Sequence, residues 1–390
     1  MRVSPAVRGA RPLRVAQVSF HCDAQRRDAE TLLHAWPTLP GIASAAARAG
    51  VEVTVVQGAA RRQTLVRDGV TFHFVDDPRG MPVRLPGGVP LVRRPDRILA
   101  LVAGLRPDVV HVQGFQYPLA VHQLMRALPG VPVLVQDHAS QPPRGWRRRA
   151  WRWAYRPLAG AAFTARQQAA PFVAAGVLRP GLPVFEVVEG SSAFAPGDRE
   201  AARRRTGLTG DPCLLWTGHL NANKDPLTAL AAFELAAPQL PDARLWCCYG
   251  TAPLLDAVRR RIAASPVLRE RVTLLGRRPH AAMEAYFRAA DFLVQASHRE
   301  SCGYATIEAM ACGTPPLVTD IPPTRRMVGD AGSLTPVGDA RALACAMVAW
   351  AALDRAALRR RARARFECAL SYDAIGRELR AAYEALAGAR

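Results

Sequence analysis

Short apolar runs rich in β-branched residues recur along the chain, and between them apolar positions repeat at helical spacing. In the first half the strand-like runs cover residues 13–19, 51–57, 108–112, 131–136 and 184–188. A small-residue helical stretch with Ala45, Ala46 and Ala47 precedes the second run, and residues 119–128 read as a helix. The second half repeats the alternation, with strands expected at 213–217, 244–249, 271–275, 292–295 and 317–319. Helical patterns fill the gaps at 227–236, 254–263, 281–290 and 304–311. Continuously apolar strands alternating with helices predict parallel sheets covered on both faces. Two doubly wound α/β domains facing each other across a cleft are therefore expected. The stretch 189–198, EGSSAFAPGD, has the composition of a linker and ends the first domain at residue 188.

A chain of 390 residues with 49% apolar content suits two well-buried domains. It has no run of about 20 apolar residues. Residues 1–13 carry three arginines without the apolar stretch of a signal peptide, so a cytoplasmic protein is expected. The eight cysteines lack metal-ligand spacing, and no metal site is expected. The formal charge of +20 favours anionic partners, whether nucleotide sugars, acidic lipid head groups or nucleic acid. The arginines are dispersed and no nucleic-acid-binding module is present, which argues against the last. Almost all of the charge is arginine, because Lys224 is the only lysine in the chain.

Ligands of doubly wound sheets bind beyond the carboxyl ends of the strands. Two stretches of the second half carry chemistry there. Residues 300–316 read ESCGYATIEAMACGTPP: Glu300 falls in the loop after a strand, Gly303 permits a tight approach, and a helix runs on to a terminating Gly313. Backbone N–H groups near Cys302, Gly303 and Tyr304, with a helix dipole behind them, suit a diphosphate. Glu308, about one turn into the helix, is placed to accept from ribose hydroxyls and Glu300 from a sugar. Residues 217–226, TGHLNANKDP, open the loop after the first strand of this half. Gly218 lets the chain turn close to a ligand, and Lys224 with His219 supplies positive charge to a departing phosphate.

Together these residues resemble the GT-B glycosyltransferases of family 4, retaining enzymes that use nucleotide sugars. The glutamates eight positions apart, followed by AMACGTP, resemble its signature, and the loop 218–224 its phosphate motif. The resemblance is strongest over residues 212–340. It implies a GT-B architecture of two Rossmann-like domains, with Glu308 on the ribose, Glu300 on the donor sugar and Lys224 on the diphosphate. The donor would be a UDP- or GDP-sugar, with no permanently bound cofactor. An arginine is usual in the family where this chain has His219, which leaves Lys224 as the main cation. Residues 277–279 correspond to a wall beside the nucleobase. The resemblance further assigns 189–370 as the donor domain and 371–390 as a helix crossing back to the first domain, with hinges near 189–198 and 371.

In the first half the run VLVQDHAS, 133–140, ends a strand in a histidine. Relatives carry a histidine at the matching place, so His138 is the candidate donor-positioning and catalytic residue beside Glu300 and Lys224, with Asp137 as its neighbour. The paired-glycine loop of many relatives is replaced here by SFHCDAQRRD, 19–28, where His21, Asp23, Arg26 or Arg27 would serve a different acceptor. Residues 144–156, RGWRRRAWRWAYR, interleave arginine with aromatics. A helix there would place Trp146, Ala150 and Trp153 on one face, with Arg148 and Arg152 on another. That aromatic side is expected in the core; the other reading lays the helix on an anionic membrane. His111 ends a strand and is expected to be a satisfied structural histidine.

The first reading is thus a retaining, metal-independent glycosyltransferase whose acceptor is a saccharide, a lipid-linked saccharide or a small molecule. A nucleotide-sugar epimerase would need an acid or base on the sugar side, for which no clear set exists. A non-catalytic binder of anionic lipid or nucleic acid draws on the charge, the missing glycines and His219.

Overall fold

A computed structural model describes residues 11–389 apart from 24, 26, 78–82, 86–88 and 92–93. Arg26, one of the acceptor-side candidates, lies outside the described residues. The chain forms two compact units, one of Met1–Glu189 with Ile375–Arg390 and one of Gly190–Ala374.

The first unit is built on β1 (Arg14–Ser19), β2 (Glu52–Ala59), β3 (Gln63–Arg67), β4 (Val70–Asp76), the ladder β5 (Val83–Leu85) and β6 (Val89–Leu91), β7 (Val109–Gln113), β8 (Val133–Gln136), β9 (Gly160–Phe163) and β10 (Val184–Glu186). Its main sheet has the order β10-β9-β8-β7-β1-β2-β4-β3 and is parallel except for β3, which pairs antiparallel with β4. The hairpin of β3 and β4 has no counterpart in the expected elements. Its outer strand is mostly exposed and not continuously apolar, the pattern of an edge rather than of a buried parallel strand.

Strands such as β1 and β7 are buried along nearly their whole length because helices cover both faces. On one face Phe115 packs against Trp151, Tyr155, Phe163 and Phe172 with ring centroids 5.1–6.5 Å apart. The C-terminal helix Tyr372–Gly388 joins this unit through Gly376, where a Cβ would stand 2.3 Å from the Ala45 carbonyl oxygen. Arg380 Nη1 donates to the Ala49 carbonyl at 2.9 Å close by.

The helix Trp146–Tyr155 corrects the expected facing. Trp146 and Trp153 are exposed, whereas Trp151, Ala154 and Tyr155 are buried. The stripe 151, 154, 155 and 158 is the alternative i, i+3, i+4, i+7 face of the same segment, and it ends on buried Leu158. It wins because it matches the aromatic pocket around Phe115.

The second unit carries β11 (Cys213–Gly218), β12 (Arg244–Tyr249), β13 (Val272–Gly276), β14 (Phe292–Val294), β15 (Pro316–Thr319) and β16 (Ser333–Thr335). All are parallel, in the order β13-β12-β11-β14-β15-β16. One core lies around Leu214, Trp216, Phe233 and Met347, another around Leu215, Phe287, Leu293 and Cys312, so consecutive residues of β11 face opposite cores. The carboxylate of Asp291, fully buried just before β14, accepts from Arg199 at 2.5 Å, from Arg203 at 2.9 Å and from the Cys213 amide at 2.8 Å. These bonds tie the helix Arg199–Thr206 to the start of the central strand.

Candidate active site

Strand order reverses between β11 and β14, so the loops leaving these neighbours splay apart at their carboxyl ends and leave a crevice. The loop after β11 carries residues 219–225 and the loop after β14 residues 295–303. They are stitched together. The His298 amide donates to the Asn223 carbonyl at 2.8 Å, Asn223 Nδ2 to the Arg299 carbonyl at 3.0 Å, and His298 Nε2 lies 3.1 Å from Asp225. Gln295 donates to the Thr217 carbonyl at 2.9 Å and accepts from Thr306 at 3.1 Å, which locks the helix Tyr304–Ala311 to the strand ends.

In this frame Lys224 Nζ pairs with Glu300, two residues 76 apart in sequence. Both side chains are largely withdrawn from solvent, at 19% and 9% exposure, where an ion pair is weakly screened. Lys224 is held from its backbone by Asn221 Oδ1, which accepts its amide at 2.9 Å. The Lys224 stem runs close to Gly218: a Cβ there would lie 3.5 Å from Lys224 Cγ, an ordinary van der Waals contact.

Gly303, in the left-handed region at φ 66°, turns the chain into the helix Tyr304–Ala311, and its carbonyl accepts from the Thr306 and Ile307 amides. Cys302 is fully buried, backbone included, and Gly303 is buried beside it, while Tyr304 is exposed. Glu308 Oε1 lies 2.6 Å from His280 Nε2, and that hydrogen bond raises the His280 pKa above its ordinary value. The His280 ring stacks on Phe194 at 5.2 Å. His219 Nδ1 accepts from the Thr251 amide at 3.0 Å, so a hydrogen on this ring sits on Nε2 and only that nitrogen can serve a phosphate. The loop 277–279 is exposed, immediately before His280.

The sheet of the first unit reverses between β1 and β7. His138, after β8, is gripped at both nitrogens, with Nδ1 2.6 Å from Glu189 and Nε2 2.7 Å from Gln113 Oε1. Burial pushes the neighbouring Asp137 up to about 6, although its Oδ1 accepts the Ser140 amide. His111 is fully buried and hydrogen-bonded to Tyr383 at 2.7 Å. In the loop after β1, Arg27 binds both oxygens of Asp23 and holds its carboxyl well below the usual range. Arg27 also lies over the Trp36 ring, and His21 Nδ1 lies 3.1 Å from the Tyr117 hydroxyl.

Glu189, Gln113, Tyr383, Phe194 and His280 are the site residues that sequence reasoning missed. Glu189 and Phe194 lie in linker-like composition and Tyr383 in a routine amphipathic helix, so none carried a local signal. His280, at the start of a helix after a strand end, is the one whose position could have drawn attention.

Two doubly wound units with a charged crevice at a topological switch define the GT-B class of α/β proteins. Residues 35–177 match the family described as glycosyl transferase 4-like domain, and residues 211–352 match glycosyl transferases group 1. The chain belongs to these group 1, family 4-like glycosyltransferases. A D-inositol 3-phosphate glycosyltransferase of Nocardia farcinica is 33% identical over 33% of this chain and 30% of its own length. The chain thus spans about a third of the first curated relatives it matches. A GDP-mannose:cellobiosyl-diphosphopolyprenol alpha-mannosyltransferase of Xanthomonas oryzae is 27% identical over 73% of this chain and 78% of its own. The Anabaena protein HepE, solved with UDP and glucose, superposes with a TM-score of 0.63 over 96% of this chain and 100% of its own, at 16% identity.

Proposed function

We propose that the protein is a retaining glycosyltransferase that moves a sugar from a UDP- or GDP-sugar to a saccharide or lipid-linked acceptor. The observation that carries this reading is the Lys224–Glu300 pair beside the N-terminus of the helix bearing Glu308. Lys224 and the helix dipole would take up the charge that grows on the diphosphate as it leaves, so that no metal ion is required. Glu308 would exchange His280 for the ribose hydroxyls, and Glu300 would hold a hydroxyl of the donor sugar while keeping Lys224 in place. The bond between the anomeric carbon and the phosphate oxygen breaks with its electrons passing to the diphosphate. The acceptor oxygen bonds the same face of that carbon, and its proton leaves with the diphosphate, which retains configuration.

The remaining assignments belong to the same reading. His138 is the donor-positioning residue of the first domain, and the second domain binds the nucleotide. Diphosphopolyprenol in the name of the Xanthomonas relative, and inositol phosphate in that of the Nocardia one, favour a phosphate-bearing or lipid-linked acceptor. A cytoplasmic protein resting on an anionic membrane would use Trp146 and Trp153, exposed among the arginines of their helix.

Calorimetry and thermal shift with UDP, GDP, ADP and their sugar conjugates test the donor site. Selective stabilisation by one nucleotide family, lost in Glu308→Ala and Lys224→Ala, is expected. Binding that survives both substitutions overturns the assignment, and strong salt dependence without nucleotide preference would favour a polyanion binder.

A further inference from the structure

His138 stands at one end of a chain of polar side chains that reaches the C-terminal helix. Its Nε2 lies 2.7 Å from the Gln113 amide, the far side of that amide lies 3.5 Å from His111 Nε2, and His111 Nδ1 lies 2.7 Å from the Tyr383 hydroxyl. Gln17 Nε2 donates to the same hydroxyl at 3.2 Å. Gln17, His111 and Tyr383 are fully buried. At the other ring nitrogen of His138 stands Glu189, 2.6 Å away, with a side chain 5% exposed.

A carboxylate accepts and cannot donate, so Nδ1 of His138 carries hydrogen. In a neutral ring Nε2 is then a lone pair that needs a donor. Gln113 supplies one with its amide turned over, which occupies the same space. Its oxygen then faces His111 and accepts from Nε2–H. His111 Nδ1 is left to accept from the Tyr383 hydroxyl, whose oxygen accepts from Gln17. Each link thus has a donor facing an acceptor, as a buried network requires. Burial holds the His111 pKa at about 3, so this ring stays neutral and only its tautomer responds.

We propose that Glu189 is a positioning residue for His138: it fixes the ring in the Nδ1–H tautomer, and the Gln113–His111–Tyr383 relay carries that choice into the C-terminal helix. A donor sugar that reached His138 would meet Nε2 as an acceptor, so it would replace the Gln113 amide with a sugar hydroxyl. Clamping at both nitrogens sets the orientation of the ring before the donor arrives. The role of His138 at the donor rests on the function proposed above; the clamp itself does not.

The test is long-range nitrogen–proton NMR of the full chain labelled at histidine, above the titration range of the rings, with His138→Ala assigning the signal. The neutral His138 of the native chain is expected as Nδ1–H. Glu189→Gln should move it towards Nε2–H, and Glu189→Asp should restore Nδ1–H. Tyr383→Phe should change the His111 signals without moving the hydrogen of His138 from Nδ1. In turnover of UDP-glucose or GDP-mannose, whichever is accepted, Glu189→Gln is expected to lower kcat about 10-fold with KM little changed. A native His138 in the Nε2–H form, or a tautomer unmoved by Glu189→Gln, overturns the clamp. Should neither UDP nor GDP bind the native chain, the donor reading falls while the tautomer measurement still decides the clamp.

Discussion

The two units share one plan, a parallel sheet whose strand order reverses beside its first strand, yet they furnish that point differently. The second unit places a cation and a carboxylate there, Lys224 and Glu300, with a helix N-terminus alongside. The first places a mostly neutral hydrogen-bonded series, from Gln17 through Tyr383 and His111 to Gln113, which ends in the His138–Glu189 pair. A charged crevice answers a charged ligand such as a diphosphate, whereas a buried neutral relay answers the need to orient one ring. The contrast teaches that a shared topology supplies only the location, and that the side chains decide which chemistry is done there.

The sharpest way to break this comparison is to remove the cation. Lys224→Ala should lower donor turnover by about 100- to 1,000-fold, the scale of losing one electrostatic contact to a transition state, and steady-state kinetics would read it. A loss under tenfold would mean that the crevice does not act through Lys224. Next in size is Gly376→Ala, which drives a Cβ against the Ala45 carbonyl. Overpacking of this kind costs about 1–3 kcal/mol. Chemical denaturation should show it as a weakened first unit with nucleotide binding to the second unit intact.

Tyr383→Phe removes one buried hydroxyl and leaves Gln17 and His111 without it. A cost of about 1–3 kcal/mol is expected in denaturant unfolding, at the lower end if the ring repacks. The cost should be insensitive to added salt, in contrast to nucleotide binding at Lys224. The smallest effect is expected at His280, whose pKa is raised by its bond to Glu308. With the folded value above the unfolded one, this pair contributes stability below about pH 6.5 and loses it as pH rises through the raised value. Nucleotide must take Glu308 from His280, so its affinity should climb modestly over that window by calorimetry, and His280→Ala should flatten the profile. The side chain is 71% exposed, which keeps the change small.

Helix Tyr304–Ala311 and strand Arg244–Tyr249 were legible to the residue, because a left-handed glycine or a continuous apolar run marks their ends locally. The strands Gln63–Arg67, Gly160–Phe163 and Ser333–Thr335 were not. They are short edge or small-residue strands whose pairing partners, not their own patterns, make them strands. At the site, the types and order of Gly218, Lys224, Glu300, Gly303 and Glu308 could be read from spacing. Their partners could not, since His280 lies 28 residues from Glu308 and Glu189 lies 51 from His138. Facing was misread in Trp146–Tyr155, where two helical stripes are both aromatic and only the pocket around Phe115 selects between them.

What the sequence by itself determined is the alternation of strands and helices and the residue types at the strand ends, because apolar periodicity and glycine placement act over a few neighbouring positions. The tertiary structure alone decided that Lys224 meets Glu300, that Glu308 is held by His280, and that His138 is clamped between Glu189 and a relay ending in the last helix. Such pairings depend on strand order and on the packing of distant elements, which no local pattern encodes.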